Sequence, residues 1–225
     1  MTETNSLVPK HVAIIMDGNR RWARKQGLSI IKGHRKVAEE MIERLADFAI
    51  AKGIEYLTLW AFSTENWKRP KDELDGIMAL FRETFSTSAK KLHKKGVRVA
   101  AVGDLSRFPD DIREGVEFWV KETEANHKLI VTFALNYGGR DDIKRAVKFG
   151  GAEFENFLDT KKMIDLPDPD FLIRPGGEKR LSGFLTWQTI YTELYFTDVL
   201  MPDFDEKEFA KALEDYAQRQ RRFGK

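Results

Sequence analysis

The chain has 225 residues, 42% of them hydrophobic, with no cysteine and a formal net charge of +2 from 38 basic and 36 acidic side chains. That length fits one α/β domain or two small ones and is enough to bury a sizeable core. The balanced charge excludes the global basic excess that drives nucleic-acid binding, and the lack of cysteine excludes disulfides, thiol catalysis and Cys-ligated zinc.

Residues 1–10 are polar and lack the basic-then-apolar order of a signal peptide, so a flexible N-terminus is expected. No run approaches the roughly 20 apolar residues that a membrane-spanning helix needs. A soluble, cytoplasmic protein is expected, and aromatics at 12% of the chain imply that some line a cavity or touch a membrane surface.

Taken in order, the first apolar run is His11-Val12-Ala13-Ile14-Ile15-Met16, a buried strand that ends in Asp17-Gly18-Asn19-Arg20-Arg21-Trp22. In an open α/β sheet, ligands bind at the carboxyl ends of strands. Asp17 there could hold a metal ion, Gly18 lets backbone N–H groups approach an anion, and Arg20 and Arg21 suit phosphate oxygens. Acid, glycine and arginine together suggest a Mg²⁺–phosphate site; the bland alternative is a solvated loop. His34, in Gly33-His34-Arg35, is expected at a helix start, facing an anion. From Val37 an apolar stripe runs through Met41, Ile42, Leu45, Phe48 and Ala49, a helix closed by Gly53.

A second strand, Tyr56–Phe62, leads into Ser63-Thr64-Glu65-Asn66-Trp67-Lys68-Arg69-Pro70. Leu74, Ile77, Met78, Phe81 and Phe85 mark a long helix running toward Leu92 and closed by Gly96. A third strand covers Val97–Gly103, and Ile112, Val116, Trp119 and Val120 mark a helix. A fourth strand, Leu129–Tyr137, ends in the polar turn Asn136-Tyr137-Gly138-Gly139-Arg140. Gly150 to Pro169 reads as a short helix and a loop. A fifth strand, Phe171–Arg174, ends in Pro175-Gly176-Gly177-Glu178-Lys179-Arg180-Leu181-Ser182, a Gly-Gly turn flanked by two arginines that suits a diphosphate. A sixth strand is placed around Leu194–Phe196, next to Glu193, an acid costly to bury without a cation or donor. Phe209, Leu213 and Tyr216 mark a C-terminal helix. Strands alternating with helices imply one α/β domain: a central, mostly parallel sheet of about six strands flanked by helices. Polar turns at four strand ends argue for one shared site.

Read together, the blocks HVAIIMDGNRRWA, LTLWAFSTENWKRP, LNYGGRDDI and IRPGGEKRLSGFLTWQTIYTELYFTDVLMPDF closely resemble the cis-prenyltransferases, in order and spacing, from His11 to Gly224. The resemblance implies a catalytic domain over residues 11–225 with an apolar tunnel. It implies Mg²⁺-dependent condensation of isopentenyl diphosphate onto an allylic diphosphate such as farnesyl diphosphate, giving a long Z-polyprenyl diphosphate. By the same resemblance Asp17 is the catalytic, metal-binding acid and Glu193 completes a metal site, usually across a homodimer. Gly18, Asn19, Arg20, Arg21, Trp22 and His34 match the allylic diphosphate segment. Ser63, Thr64, Glu65, Trp67 and Arg69 match substrate-binding positions, and Asn66 matches a residue proposed as proton acceptor. Arg174, Arg180, Leu181 and Ser182 match the isopentenyl diphosphate site.

The helix faces at 41–49 and 74–92 are candidate tunnel walls, with plain core as the competing reading, and Ala61 leaves room for a long product. Product release implies peripheral contact with a membrane. The chain also departs from the family pattern. Ile30 and Val37 stand where an arginine and a glycine are usual, so one diphosphate contact is absent or comes from Lys32 or Arg24. Pro175 and Gly183 are further departures, and a short segment near 148–168 alters the expected dimer arm. Two other readings are a non-catalytic partner subunit of the same fold and a Mg²⁺-dependent phosphohydrolase.

Overall fold

Six strands hydrogen-bond into one sheet in a computed structural model that describes residues 8–219. They are β1 (His11–Ile15), β2 (Tyr56–Ser63), β3 (Val97–Val102), β4 (Leu129–Tyr137), β5 (Phe171–Pro175) and β6 (Glu193–Thr197), in the order β3-β4-β2-β1-β5-β6. Every pairing among them is parallel, so the sheet is wholly rather than mostly parallel. The flexible segment expected over residues 1–10 lies, for residues 1–7, outside the described residues, as do residues 220–225.

A parallel sheet is covered on both faces by its crossover connections. Along β1 the side chains alternate accordingly. Val12 and Ile14 join the larger core, while Ala13 and Ile15 join a smaller cluster with Tyr137, Leu172 and Phe184. The larger face is covered by α3 (Ile42–Lys52), α4 (Lys71–Lys94), α5 (Asp110–Glu122) and α8 (Glu206–Ala217), whose apolar stripes supply Leu45, Ile77, Val116 and Phe209. The periodicity at 112–120 and 209–216 therefore marks true helix faces.

Two helices escaped the periodicity: α1 (Asn19–Lys25) and α6 (Gly139–Gly150). The first is dominated by polar residues and buries only Asn19 and Ala23. The second carries Asp141 and Asp142 in its first turn, where negative charge suits the helix N-terminus. Gly150 to Pro169 holds a 3₁₀ segment and α7 (Asp159–Lys162), in line with the short helix and loop expected there.

The expectation for His34 needs correction. It is the fifth residue of α2 (Ile30–Lys36), not its start, and α2 continues through a π-turn at Val37–Met41 into α3. Gly33 explains why α1 and α2 can touch: a Cβ there would sit 2.2 Å from the Asn19 carbonyl oxygen.

At the opposite, amino end of the sheet His11 is fully buried. Its Nδ1 lies 2.7 Å from the Pro167 carbonyl and its Nε2 2.8 Å from the Thr58 hydroxyl. A carbonyl can only accept, so Nδ1 carries the proton and Nε2 accepts from Thr58. Burial holds the ring neutral and lowers its pKa from 6.5 to about 4. The folded state therefore resists the proton that the unfolded chain accepts. The resulting stability is fully present above pH 6.5 and is lost as pH falls toward 4, by about 3 kcal/mol at the limit. In His11→Asn, urea unfolding midpoints at pH 7 and pH 5 are expected to lie closer together than in the wild type. An unchanged pH slope would remove His11 as its source.

Candidate active site

The crevice between β1 and β5 is the topological switch point of the sheet: the chain leaves β1 toward β2 on one side and leaves β5 toward β6 on the other. The turns after these two strands meet there. Arg174, on β5, donates from Nη2 to Asp17 Oδ2 at 2.9 Å; its Nη1 donates to Ser182 Oγ at 2.9 Å and to the Arg180 carbonyl. Arg21 reaches the other oxygen, Asp17 Oδ1, at 3.3 Å, and the Gly18 N–H donates to it at 2.6 Å. The Asp17 carbonyl accepts from Met201 N–H, tying the turn to the C-terminal segment. Gly176 sits beneath with φ +100°, where a Cβ would lie 2.8 Å from Arg21 Nη2. Only glycine lets the β5 turn close on the β1 turn.

A second carboxylate organises the next two arginines. Glu73, in the first turn of α4, accepts from Arg69 Nη1 at 3.0 Å and lies 3.5 Å from Arg20 Nη2, with its side chain only 6% exposed. Asn19 donates to the Met16 carbonyl at 3.2 Å and lies 3.3 Å from His34 Nδ1. Burial, then the charges of Arg69 and Arg20, lower the His34 pKa to about 4, so the ring adds no charge to the cluster near neutrality. Arg69 is itself held below the usual guanidinium range, chiefly by burial, which the Glu73 charge offsets.

Of these residues Asp17, Asn19, His34, Arg69, Arg174, Arg180 and Ser182 border a cavity of about 540 Å³, whereas Gly18, Arg20, Arg21 and Glu73 do not line it. Its mouth is polar: Asp17, Asn19, His34, Asn66, Arg69 and Arg174 all face it, as do Ser63, Glu65, Arg180 and Ser182. Its interior is apolar, running between α4 and the sheet past Ile77, Phe81 and Phe85 toward Phe133 and Leu135. Val37 and Ala38 of the π-turn form part of the wall, and such turns recur at functional sites. Of the stripe at 41–49 only Ile42 lines the cavity; Leu45, Ala46 and Ala49 are packed core. The face at 77–89 does line it, and Ala61 stands in the wall.

Several expected residues are placed elsewhere. Trp22 donates to Asp203 Oδ1 at 2.8 Å beneath the Lys36 ammonium. Thr64 packs against Gly138. Trp67 donates to Asn136 Oδ1 at 2.8 Å inside an aromatic cluster with Phe62 and Phe108. Leu181, half-buried, packs against the smaller core. None of these four borders the cavity. The turn after β4 does not join the site either. Asn136 serves Trp67 and the Asp104 carbonyl, and Gly139 N–H bonds to the Gly183 carbonyl. Lys32 and Arg24, the cations considered in place of a guanidinium at Ile30, are exposed and do not line the cavity.

Glu193 is placed at the amino end of β6, paired in register with Phe171 at the start of β5, whereas Asp17 follows the carboxyl end of β1. It accepts from Arg219 Nη1 at 2.9 Å. Asp17 and Glu193 of one chain therefore cannot share an ion. Among the described residues no three His, Cys, Asp or Glu side chains cluster as metal ligands. The missed residue is Glu73. Its i,i+4 spacing from Arg69 was visible in the sequence, but an ordinary surface pair has the same spacing.

A family model described as putative undecaprenyl diphosphate synthase matches residues 15–224. The chain belongs to this family, the cis-prenyltransferases. An isoprenyl transferase from Aquifex pyrophilus is 48% identical to it over 97% of this chain and 96% of that protein. A ditrans,polycis-undecaprenyl-diphosphate synthase of Xanthomonas axonopodis pv. citri, named as specific for (2E,6E)-farnesyl diphosphate, is 42% identical over 98% of this chain and 90% of that protein. Among solved structures, lavandulyl diphosphate synthase from Lavandula x intermedia, in complex with dimethylallyl diphosphate, matches with a TM-score of 0.91 and 36% identity, covering 97% and 99% of the two chains. A probable undecaprenyl diphosphate synthase from Campylobacter jejuni matches at 0.79 and 36% identity, covering 96% and 99%. This cis-prenyltransferase is thus an enzyme of isoprenoid diphosphate synthesis on a six-stranded parallel α/β fold.

Arg174 is nearly buried, and Asp17 is the carboxylate paired with it, at 2.9 Å. In Asp17→Ala the guanidiniums at the mouth repel without that anion. Because Asp17 is partly exposed, a loss of only about 1–2 kcal/mol is expected in denaturant unfolding. Arg174→Met added to Asp17→Ala should restore most of it.

Proposed function

We propose that the enzyme extends an allylic diphosphate, farnesyl diphosphate or similar, with isopentenyl diphosphate to give a long Z-polyprenyl diphosphate carrier. The observation that carries this reading is one cavity joining a guanidinium-lined mouth at the sheet's switch point to an apolar interior. Diphosphates match the mouth, and a growing hydrocarbon chain matches the interior, where burial is worth roughly 0.8 kcal/mol per CH₂.

In this reading Asn19, Arg20, Arg69 and His34 receive the allylic diphosphate, while Arg174, Arg180 and Ser182 receive that of the isopentenyl unit. Negative charge builds on the leaving diphosphate as the allylic C1–O bond breaks, and fixed guanidiniums stabilise it more in the transition state than in the ground state. The isopentenyl double bond supplies the electron pair for the new C–C bond, and a proton then leaves. Asn66 accepts the Ser63 N–H through Oδ1 at 3.1 Å, so that oxygen is already engaged. Its amide donors orient a substrate oxygen, and the departing diphosphate takes the proton.

Mg²⁺ fits this donor set. It needs only one or two carboxylates when substrate phosphates and water complete its shell, and Asp17 offers one carboxylate beside the diphosphate site. When bound, the ion would neutralise charge on the leaving diphosphate. Glu193 would contribute only from the partner subunit of a homodimer.

Support for that dimer is a sheet edge at β6 flanked by Trp187, Ile190 and Tyr191, the last two 70% and 64% exposed. The chain is proposed to work in the cytoplasm, touching a membrane only at its surface to release product. No helix among the described residues is long and apolar enough to cross one.

The test is incubation with labelled isopentenyl diphosphate and either farnesyl or geranylgeranyl diphosphate, with Mg²⁺ or EDTA, followed by chromatography of the dephosphorylated products. Mg²⁺-dependent long products are expected, shorter ones from Ala61→Leu, and slow turnover from Asn66→Ala. Full turnover of Asn66→Ala would remove that residue from the chemistry. No elongation by folded protein would overturn the reading in favour of a non-catalytic subunit, and phosphate release from simple esters would favour a phosphohydrolase. Light scattering should report twice the 26.0 kDa chain mass and a monomer for Ile190→Asp; a monomeric wild type would remove the dimer.

A further inference from the structure

Glu73 takes part in none of the roles above, yet its side chain is more buried than that of Asp17. It does not border the cavity; Arg69, which does, lies between it and the open space. Its side chain is 6% exposed, and the partners found for it are two guanidiniums, Arg69 at 3.0 Å and Arg20 at 3.5 Å. Arg20 and Arg69 come from different elements, α1 and the turn after β2, and each charge is unfavourable for the other. His34 is uncharged near neutrality, so it adds no third positive charge, and it offers no negative one. Without an anion behind them, two such side chains would turn apart into water, because each gains hydration and loses repulsion. With a carboxylate behind them, both stay fixed with donors left over for a ligand in front. The Arg20 Nε is buried with no acceptor, so even in this arrangement the pair has unused donor capacity.

We propose that Glu73 is a positioning residue that holds Arg20 and Arg69 together to grip the allylic diphosphate. This deepens the function proposed above and rests on it. The charge of Glu73 also repels a diphosphate, so two effects compete. Positioning wins if the cost of reorganising two long side chains exceeds that repulsion, which the two bound guanidiniums already screen. Arg174 and Arg180 do not touch Glu73, so the effect should be confined to one of the two substrates.

The experiment uses Glu73→Gln, which keeps the shape and removes the charge, and Glu73→Asp, which keeps the charge. KM for each substrate and kcat are measured, and inorganic pyrophosphate is titrated into each protein by calorimetry. For Glu73→Gln, KM for the allylic diphosphate should rise about 10–100-fold, by analogy with the loss of hydrogen-bond partners that orient metal ligands. KM for isopentenyl diphosphate should stay put, pyrophosphate should bind more weakly, and Glu73→Asp should recover part of the loss. A melting curve unchanged by Glu73→Gln would separate this from unfolding; if that variant does not fold, Glu73→Asp carries the same comparison. An unchanged or lower allylic KM would overturn the proposal and make Glu73 a mere counter-charge, as would equal rises for both substrates. A wild type that elongates nothing but binds pyrophosphate would sink the parent reading alone, and the pyrophosphate titrations would still decide the role of Glu73.

Discussion

The arrangement depends on two carboxylates that each hold two guanidiniums. Asp17 holds Arg174 and Arg21, and Glu73 holds Arg69 and Arg20. Neither set of like charges would converge by itself, since a guanidinium is always ionised and repels its neighbours. The acids convert four mobile side chains into a fixed positive surface with donor capacity to spare. The same logic explains a nearly buried arginine at Arg174: its charge is matched by one carboxylate, and its Nη1 donates to Ser182 and the Arg180 carbonyl.

Sheet topology puts those groups in one place. Because β1 and β5 are adjacent and their connections leave in opposite directions, a crevice opens at their carboxyl ends. Gly176 lets the two turns touch there, and Gly33 lets α2 lie against α1 so that His34 faces Asn19. The apolar part of the cavity follows from the same construction. The helices over the larger face do not fill it against β2 and β4, and the π-turn presents Val37 and Ala38 to the gap. Charge at one end and hydrocarbon at the other suit an amphiphilic substrate, which is the property that unites family and site.

Much of the fold was legible beforehand. All six strands fall where apolar runs predicted them: the inner strands because burial on both faces gives a nearly continuous apolar sequence, and the half-buried edge strand β6 through the short run Leu194–Phe196. Periodicity marked α4, α5 and α8 for a similar reason. It missed α1 and α6, whose surfaces are largely polar, and it misplaced His34, because a π-turn joins two helices that the apolar stripe alone shows as one beginning later. The site was legible in part. Asp17, Asn66, Arg69, Arg174, Arg180 and Ser182 do meet, since strand ends of a parallel sheet lie side by side. Trp22, Thr64, Trp67 and Leu181 share those segments but are turned into packing, which a linear motif cannot show.

By itself the sequence determined the alternation of strands and helices, the family, and the acid and arginines at strand ends, because these depend on local residue type and order. Only the tertiary structure decided that Glu193 lies at the far end of the sheet from Asp17, that the stripe at 41–49 is mostly core, and that Glu73 stands behind Arg20 and Arg69. Those facts depend on which strand neighbours which and on the direction a side chain takes from a helix. Both are settled by packing between segments far apart along the chain.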